Sequence, residues 1–93
     1  MKKLRWNPHK NEELKATRDV SFEQILNSRL VDDISHPGKP HQRIMLYEFN
    51  NYVWVIPYVK EGEYFFLKTA FPNRKYTKEY LGGKGYEEDQ GHP

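Results

Sequence analysis

The sequence predicts an α+β domain in which a short N-terminal strand and two helices precede an antiparallel β-meander, the helices packed on one face of it, and a short C-terminal helix follows. Three observations carry that expectation. Helix-start signals crowd the first 25 residues, at Asn7-Pro8 and at Ser21-Phe22-Glu23-Gln24. Three runs rich in β-branched and aromatic residues fill positions 42–71. Asn50-Asn51, between the first two of these runs, supplies residues that accept φ > 0, as a two-residue hairpin turn requires.

Each element has a local reason. Leu4-Arg5-Trp6 is a strand candidate that stops at Asn7, an N-cap, with Pro8 in the first helical turn, where its missing N–H costs nothing. Residues 8–18 are expected to be helical, with Glu12 or Glu13 near the start and Lys15 and Arg18 near the end complementing the macrodipole. With only Leu14 and Ala16 as apolar content, this helix depends on the sheet. Ser21 to Gln24 reads as a capping box with Val20 and Ile25 as a staple, opening a second helix from 22 to about 29. Leu30–Ile34 reads as a strand closed by the turn-rich run 35–41, which holds His36 and His41.

The meander strands are expected at Gln42–Phe49, Tyr52–Lys60 and Tyr64–Phe71. A two-residue turn at Asn50-Asn51 pairs Phe49 with Tyr52, Tyr47 with Trp54, Met45 with Ile56 and Arg43 with Tyr58. Arg43, Met45, Tyr47, Phe49, Tyr52, Trp54, Ile56 and Tyr58 then share one face, and Ile44, Leu46, Glu48, Val53, Val55, Pro57 and Val59 the other. The aliphatic face is the expected seat of both helices. For the next strand, a three-residue loop Lys60-Glu61-Gly62 is expected, because it sends Lys68 to the open face beside Arg43, Tyr47 and Tyr58 instead of burying an unpaired charge.

At 93 residues the chain makes one domain, expected over 1–83, with 84–93 as an acidic tail. Charged residues reach 30% and mean hydropathy is −0.99, yet aromatics at 15% supply enough burial per residue for a core. The absence of cysteine excludes a disulfide framework and Cys-based metal sites. Neither a membrane-length apolar run nor a signal-peptide core is visible, so a cytoplasmic location is the expectation. The net charge of +2 is uneven, with six basic and two acidic side chains in residues 1–18. That asymmetry suits nucleic acid or an acidic partner, and equally serves solubility.

A surface of Arg43, Lys68, Arg74, Lys75, Tyr47, Tyr58 and Tyr76 suits RNA, with cations on phosphates and aromatic rings under bases. Cleavage through the ribose 2′-OH needs a base, positive charge at the phosphorane and an acid for the departing 5′-oxygen. Arg74 supplies the charge; Lys68, Tyr76, His36 or His41 supplies proton transfer. The competing readings are plain ones: Tyr and Trp on a hairpin face also pack as core, loop histidines also merely meet solvent, and Lys75 and Lys78 also simply solvate a helix. The four histidines have no metal-ligand spacing, and no cofactor motif is present.

The segments Trp-Asn-Pro-His-Lys-Asn (6–11), Val-Ser-Phe-Glu (20–23), Asp-Ile-Ser-His-Pro (33–37) and Phe-Pro-Asn-Arg-Lys-Tyr-Thr-Lys-Glu-Tyr-Leu (71–81) appear in the order strand, two helices, meander, basic helix. Over residues 4–81 the chain resembles the BrnT-like toxins of type II toxin–antitoxin modules, within the RelE-type ribonuclease superfamily. The last segment is the most specific, since it is similar to that family's Arg-Lys-x-Thr-Lys run. The resemblance implies a compact α+β toxin that cleaves RNA without a metal, free or on the ribosome, inhibits translation, and is held inactive by a cognate antitoxin, often of ribbon-helix-helix type. It places the family's Arg-Lys pair on Arg74 and Lys75, with Tyr76 where a small residue is usual. A non-catalytic module that binds RNA or an antitoxin is the alternative.

Overall fold

In the computed structural model, described here over residues 3–82, an α+β fold sets three helices on a mostly antiparallel sheet. The elements run β1 (Lys3–Trp6), α1 (Pro8–Arg18), α2 (Phe22–Leu26), β2 (Arg29–Ser35), β3 (Arg43–Phe49), β4 (Tyr52–Glu61), β5 (Tyr64–Leu67), β6 (Phe71–Pro72) and α3 (Arg74–Leu81). The sheet order is β1-β5-β4-β3-β2, with β6 also on β4, and only the β1 to β5 pairing is parallel. The expected acidic tail lies outside the described residues.

The local signals act where the sequence puts them. Asn7 Oδ1 accepts from the His9 N–H at 2.8 Å, and Ser21 and Gln24 form the reciprocal capping box. The helix it opens is shorter than expected, ending at Leu26, because the chain turns at Asn27-Ser28 and enters β2 at Arg29. Glu12 and Glu13 fall beyond the first turn of α1, so their work is not with the dipole; they pair with Lys15 and Lys10 at i, i+3. What anchors this polar helix is Asn11, 6% exposed, whose Oδ1 accepts from the Phe22 N–H and whose amide donates to Glu23, both at 2.8 Å.

The β3–β4 hairpin has the expected register, from Phe49 opposite Tyr52 to Arg43 opposite Tyr58, with Asn50 and Asn51 at φ 55° and 60°. The faces are seated the other way round from the expectation. Leu14, Val20, Phe22 and Ile25 of the helical segment pack against Met45, Tyr47, Trp54, Ile56 and Tyr58. The aliphatic face of Ile44, Leu46, Val53 and Val55 is covered instead by α3 through Leu81, Tyr76 and Tyr80. Volume explains the exchange: two short helices with few large apolar residues need the bulky aromatic face to fill the space between layers, whereas α3 brings its own tyrosines to a flat aliphatic one.

The next turn also differs. Glu61 pairs with Tyr64, so the loop is Gly62-Glu63, with Gly62 at φ 63°, and Leu67 faces Tyr58. Leu67 and Ala70 thereby join the buried helix-covered core, and Lys68 goes to the opposite face from Tyr47 and Tyr58. The burial cost that argued against the aliphatic face for Lys68 does not arise, because Lys68 stands exposed where α3 does not reach. Between Lys68, whose N–H meets the Pro57 carbonyl, and Phe71, opposite Val55, the outer strand carries one extra residue. This bulge splits the expected third strand into β5 and β6 and returns Phe71 to the α3 side. It also accounts for Pro57 inside a central strand, since the missing N–H falls beside the break.

Candidate functional site

α3 crosses only part of its face of the sheet. It enters from the β6 margin, where the Asn73 N–H meets the Val53 carbonyl and the Thr77 hydroxyl accepts from the Val53 N–H at 2.8 Å while donating to the Asn73 carbonyl. It ends over β2, where the Tyr80 hydroxyl donates to Asp32 at 2.7 Å. That bond holds the Asp32 carboxyl below its usual range and raises Tyr80 to about 12. Among the described residues no helix covers the β1 and β5 half of the same face.

This open half is basic and aromatic. Strand periodicity puts Lys3 and Arg5 on it beside Tyr64 and Phe66, their partners in register, with Lys68 two residues on. The Arg5 guanidinium lies over the Tyr64 ring at 4.2 Å from its centroid, Lys3 lies 5.9 Å from the same ring, and Lys68 lies 5.9 Å from that of Phe66. A concavity of about 460 Å³ opens here, lined by Leu4, Arg5, Trp6, Glu61, Tyr64 and Phe66. Arg74 and Lys75 continue the strip at the first turn of α3; along β4 the interval from Pro57, which Lys68 bonds, to Val53, which Asn73 bonds, is about 13 Å. Among the described residues, the ion pairs within 4.0 Å involve Lys10, Lys15, Arg29 and Arg43 and leave Lys3, Arg5, Lys68, Arg74 and Lys75 without a carboxylate.

The expected site residues divide into two groups. Lys68, Arg74 and Lys75 are exposed along this strip, and Tyr76 is half-buried against Tyr80 beneath Lys75, whose Nζ lies 5.9 Å from its ring. The others stand elsewhere. Tyr47 and Tyr58 are 7% and 4% exposed under the helices, so they offer no free ring for a base, and burial raises both hydroxyls. Arg43 is spent on Asp33, donating from Nε to its carboxylate at 3.0 Å and from Nη2 to its carbonyl at 2.8 Å, while Tyr58 donates to the same carboxylate. The Tyr58 contact, then Asp33, pushes Arg43 up. His36 holds its own loop, with Nδ1 accepting from the Gly38 and Lys39 N–H groups, and His41 is exposed in that loop. The loop joins β2 to β3 beside Arg43, whereas Arg74 lies near the Val53 level of the sheet; five residues of β3 separate these levels, about 17 Å.

Sequence reasoning missed Lys3, Arg5, Tyr64 and Phe66. Their alternation at period two was visible as Lys3-x-Arg5 and Tyr64-x-Phe66-x-Lys68, but joining the two runs needs the parallel pairing of strands nearly sixty residues apart. Among the described residues no group of His, Asp or Glu is arranged as metal ligands, and no helix is long and apolar enough to cross a membrane. No protein-family model, no curated protein and no solved structure matches the chain.

Proposed function

We propose that this chain is a toxin-type endoribonuclease of the BrnT-like kind, with a RelE-like arrangement of helices and sheet, acting on RNA laid along the open half-face from Lys3 to Lys75. The observation that carries the reading is the strip itself: five cations that have no carboxylate within 4.0 Å among the described residues, interleaved with Tyr64 and Phe66. Unpaired cations neutralise phosphates and release counterions, and exposed ring faces accept unstacked bases. On this reading Lys3 and Lys75 hold the backbone, Arg74 stabilises the charge of the phosphorane, and Lys68 takes the proton of the attacking 2′-OH and returns it to the departing 5′-oxygen. In the cytoplasm a cognate antitoxin, of ribbon-helix-helix type in the resemblance, covers the strip and holds the toxin inactive.

The test is incubation of the protein with mixed-sequence RNA in excess EDTA, alone and with added ribosomes, beside Arg74→Ala and Lys68→Ala. Products ending in 2′,3′-cyclic phosphate, lost in both variants, are expected. Intact RNA under both conditions refutes cleavage.

A second reading, RNA binding without cleavage, is favoured by one observation. His36 and His41 lie at the far end of β3 from Arg74, which leaves Lys68 and the half-buried Tyr76 as the proton-transfer candidates of the strip. Tight binding with RNA recovered uncut distinguishes it.

A further inference from the structure

The concavity between β1 and the β4–β5 turn contains an acid as well as a base. Arg5 and Glu61 both line it, yet neither belongs to any ion pair within 4.0 Å among the described residues. Arg5 lies over Tyr64, and a stacked guanidinium keeps its in-plane N–H groups free to donate. Tyr64 and Phe66 supply aromatic rings on this side of the sheet. A carboxylate and a guanidinium facing one aromatic concavity, and not satisfying each other, set out an acceptor pair and a donor fork for a flat ligand that carries the complements.

We infer that this concavity is a guanine subsite: the ring rests against Phe66, Glu61 accepts from the base, and Arg5, seated over Tyr64, donates to it. The inference rests on the RNA reading above and adds a base preference to it. Guanine alone among the four bases presents two adjacent donors, N1–H and the N2 amino group, to a carboxylate, and it also presents the O6 and N7 acceptor pair that arginine reads. Adenine and cytosine each offer a carboxylate one exocyclic amino group, and uracil a single ring N–H. Lys3 and Lys68 flank the concavity on the same face, so a guanosine held here has its neighbouring phosphates beside cations.

The experiment uses the full chain and fluorescein-labelled 2′-O-methyl RNA hexamers, which the 2′-OH mechanism cannot cut, with binding read by anisotropy. Each hexamer is a uridine run carrying one central G, A, C or inosine. The G hexamer is expected to bind about tenfold tighter than the A, C and all-U hexamers. Inosine, which lacks the N2 amino group, is expected to lose part of that preference. Glu61→Ala is expected to bring all hexamers to one affinity, and Tyr64→Ala, which removes the seat of Arg5, to weaken the preference for G. Equal affinities in the native protein overturn the guanine assignment alone, as does a preference that survives Glu61→Ala. No binding of any hexamer overturns the RNA reading and the assignment with it.

Discussion

Replacing Thr77 by Val keeps the shape of the side chain and removes its hydroxyl, and the consequence follows from two bonds. Thr77 is 2% exposed, and its Oγ1 accepts from the Val53 N–H at 2.8 Å and donates to the Asn73 carbonyl at 2.7 Å. On its outer side β4 has no strand partner at Val53, so the hydroxyl stands in for one. With valine the N–H is left buried and unpaired, at a cost of about 1–3 kcal/mol. The Asn73 carbonyl still accepts from the Thr77 N–H, which limits the loss to the donor side. For a domain of this size the melting temperature should fall by at least about 4 °C. Thr77→Ser keeps both bonds and gives up one methyl, so it should fall less. Because this bond seats the N-terminal part of α3, Thr77→Val should also weaken RNA binding through Arg74 and Lys75. The assay is thermal unfolding by circular dichroism of the three proteins side by side. A Val variant as stable as the native chain, or a Ser variant less stable than Val, refutes the reasoning.

Other outcomes follow from the same geometry. Asn11→Ala removes the acceptor of the buried Phe22 N–H and the donor to Glu23, and should lower stability by about 1–3 kcal/mol in urea unfolding. Tyr58→Phe removes the hydroxyl bonds to the Asp33 carboxylate and should destabilise by about 1.5–3 kcal/mol while leaving the affinity for RNA unchanged in a filter-binding assay, since Tyr58 lies under the helices. The Asp32 to Tyr80 bond makes stability depend on pH at both extremes. Asp32 is depressed in the folded chain, so its contribution is present above the ordinary carboxylate pKa and is lost as pH falls through the lowered value. Tyr80 is raised to about 12, so its contribution is present below the ordinary phenol pKa and is lost as pH rises through about 12. Tyr80→Phe should flatten both limbs in melts taken across pH.

Short-range chemistry was legible. Asn7, the Ser21 to Gln24 box and Asn50-Asn51 each fix a boundary from within a few residues, and the hairpin register followed from the turn alone. The seating of helices on faces was not, because both faces of the hairpin are apolar enough to be buried and only the volume of the opposing layers decides between them. The register of β5 turned on whether Lys68 would be buried, and that depended on how far α3 extends, a long-range fact. Pro57 was the one local sign of the bulge beside it. At the site, Lys68, Arg74 and Lys75 were legible as cations at the end of the meander, but Lys68 was expected on the face of Arg43, Tyr47 and Tyr58 and stands on the other. Arg43 was not legible as a paired one, because its partner Asp33 comes from β2, across a loop whose path the sequence leaves open.

The central claim is that RNA lies on the β1, β5 and α3 margin and not on the face of Arg43. The affinity for a single-stranded RNA, measured against salt concentration for the native chain and for Lys3→Ala, Lys68→Ala, Arg74→Ala and Arg43→Ala, tests it most directly. Each of the first three is expected to lower affinity and to reduce the slope of log K against log salt by about 0.7, one phosphate contact apiece, while Arg43→Ala leaves the slope as it was. A slope that falls only in Arg43→Ala, or in none of the four, contradicts it.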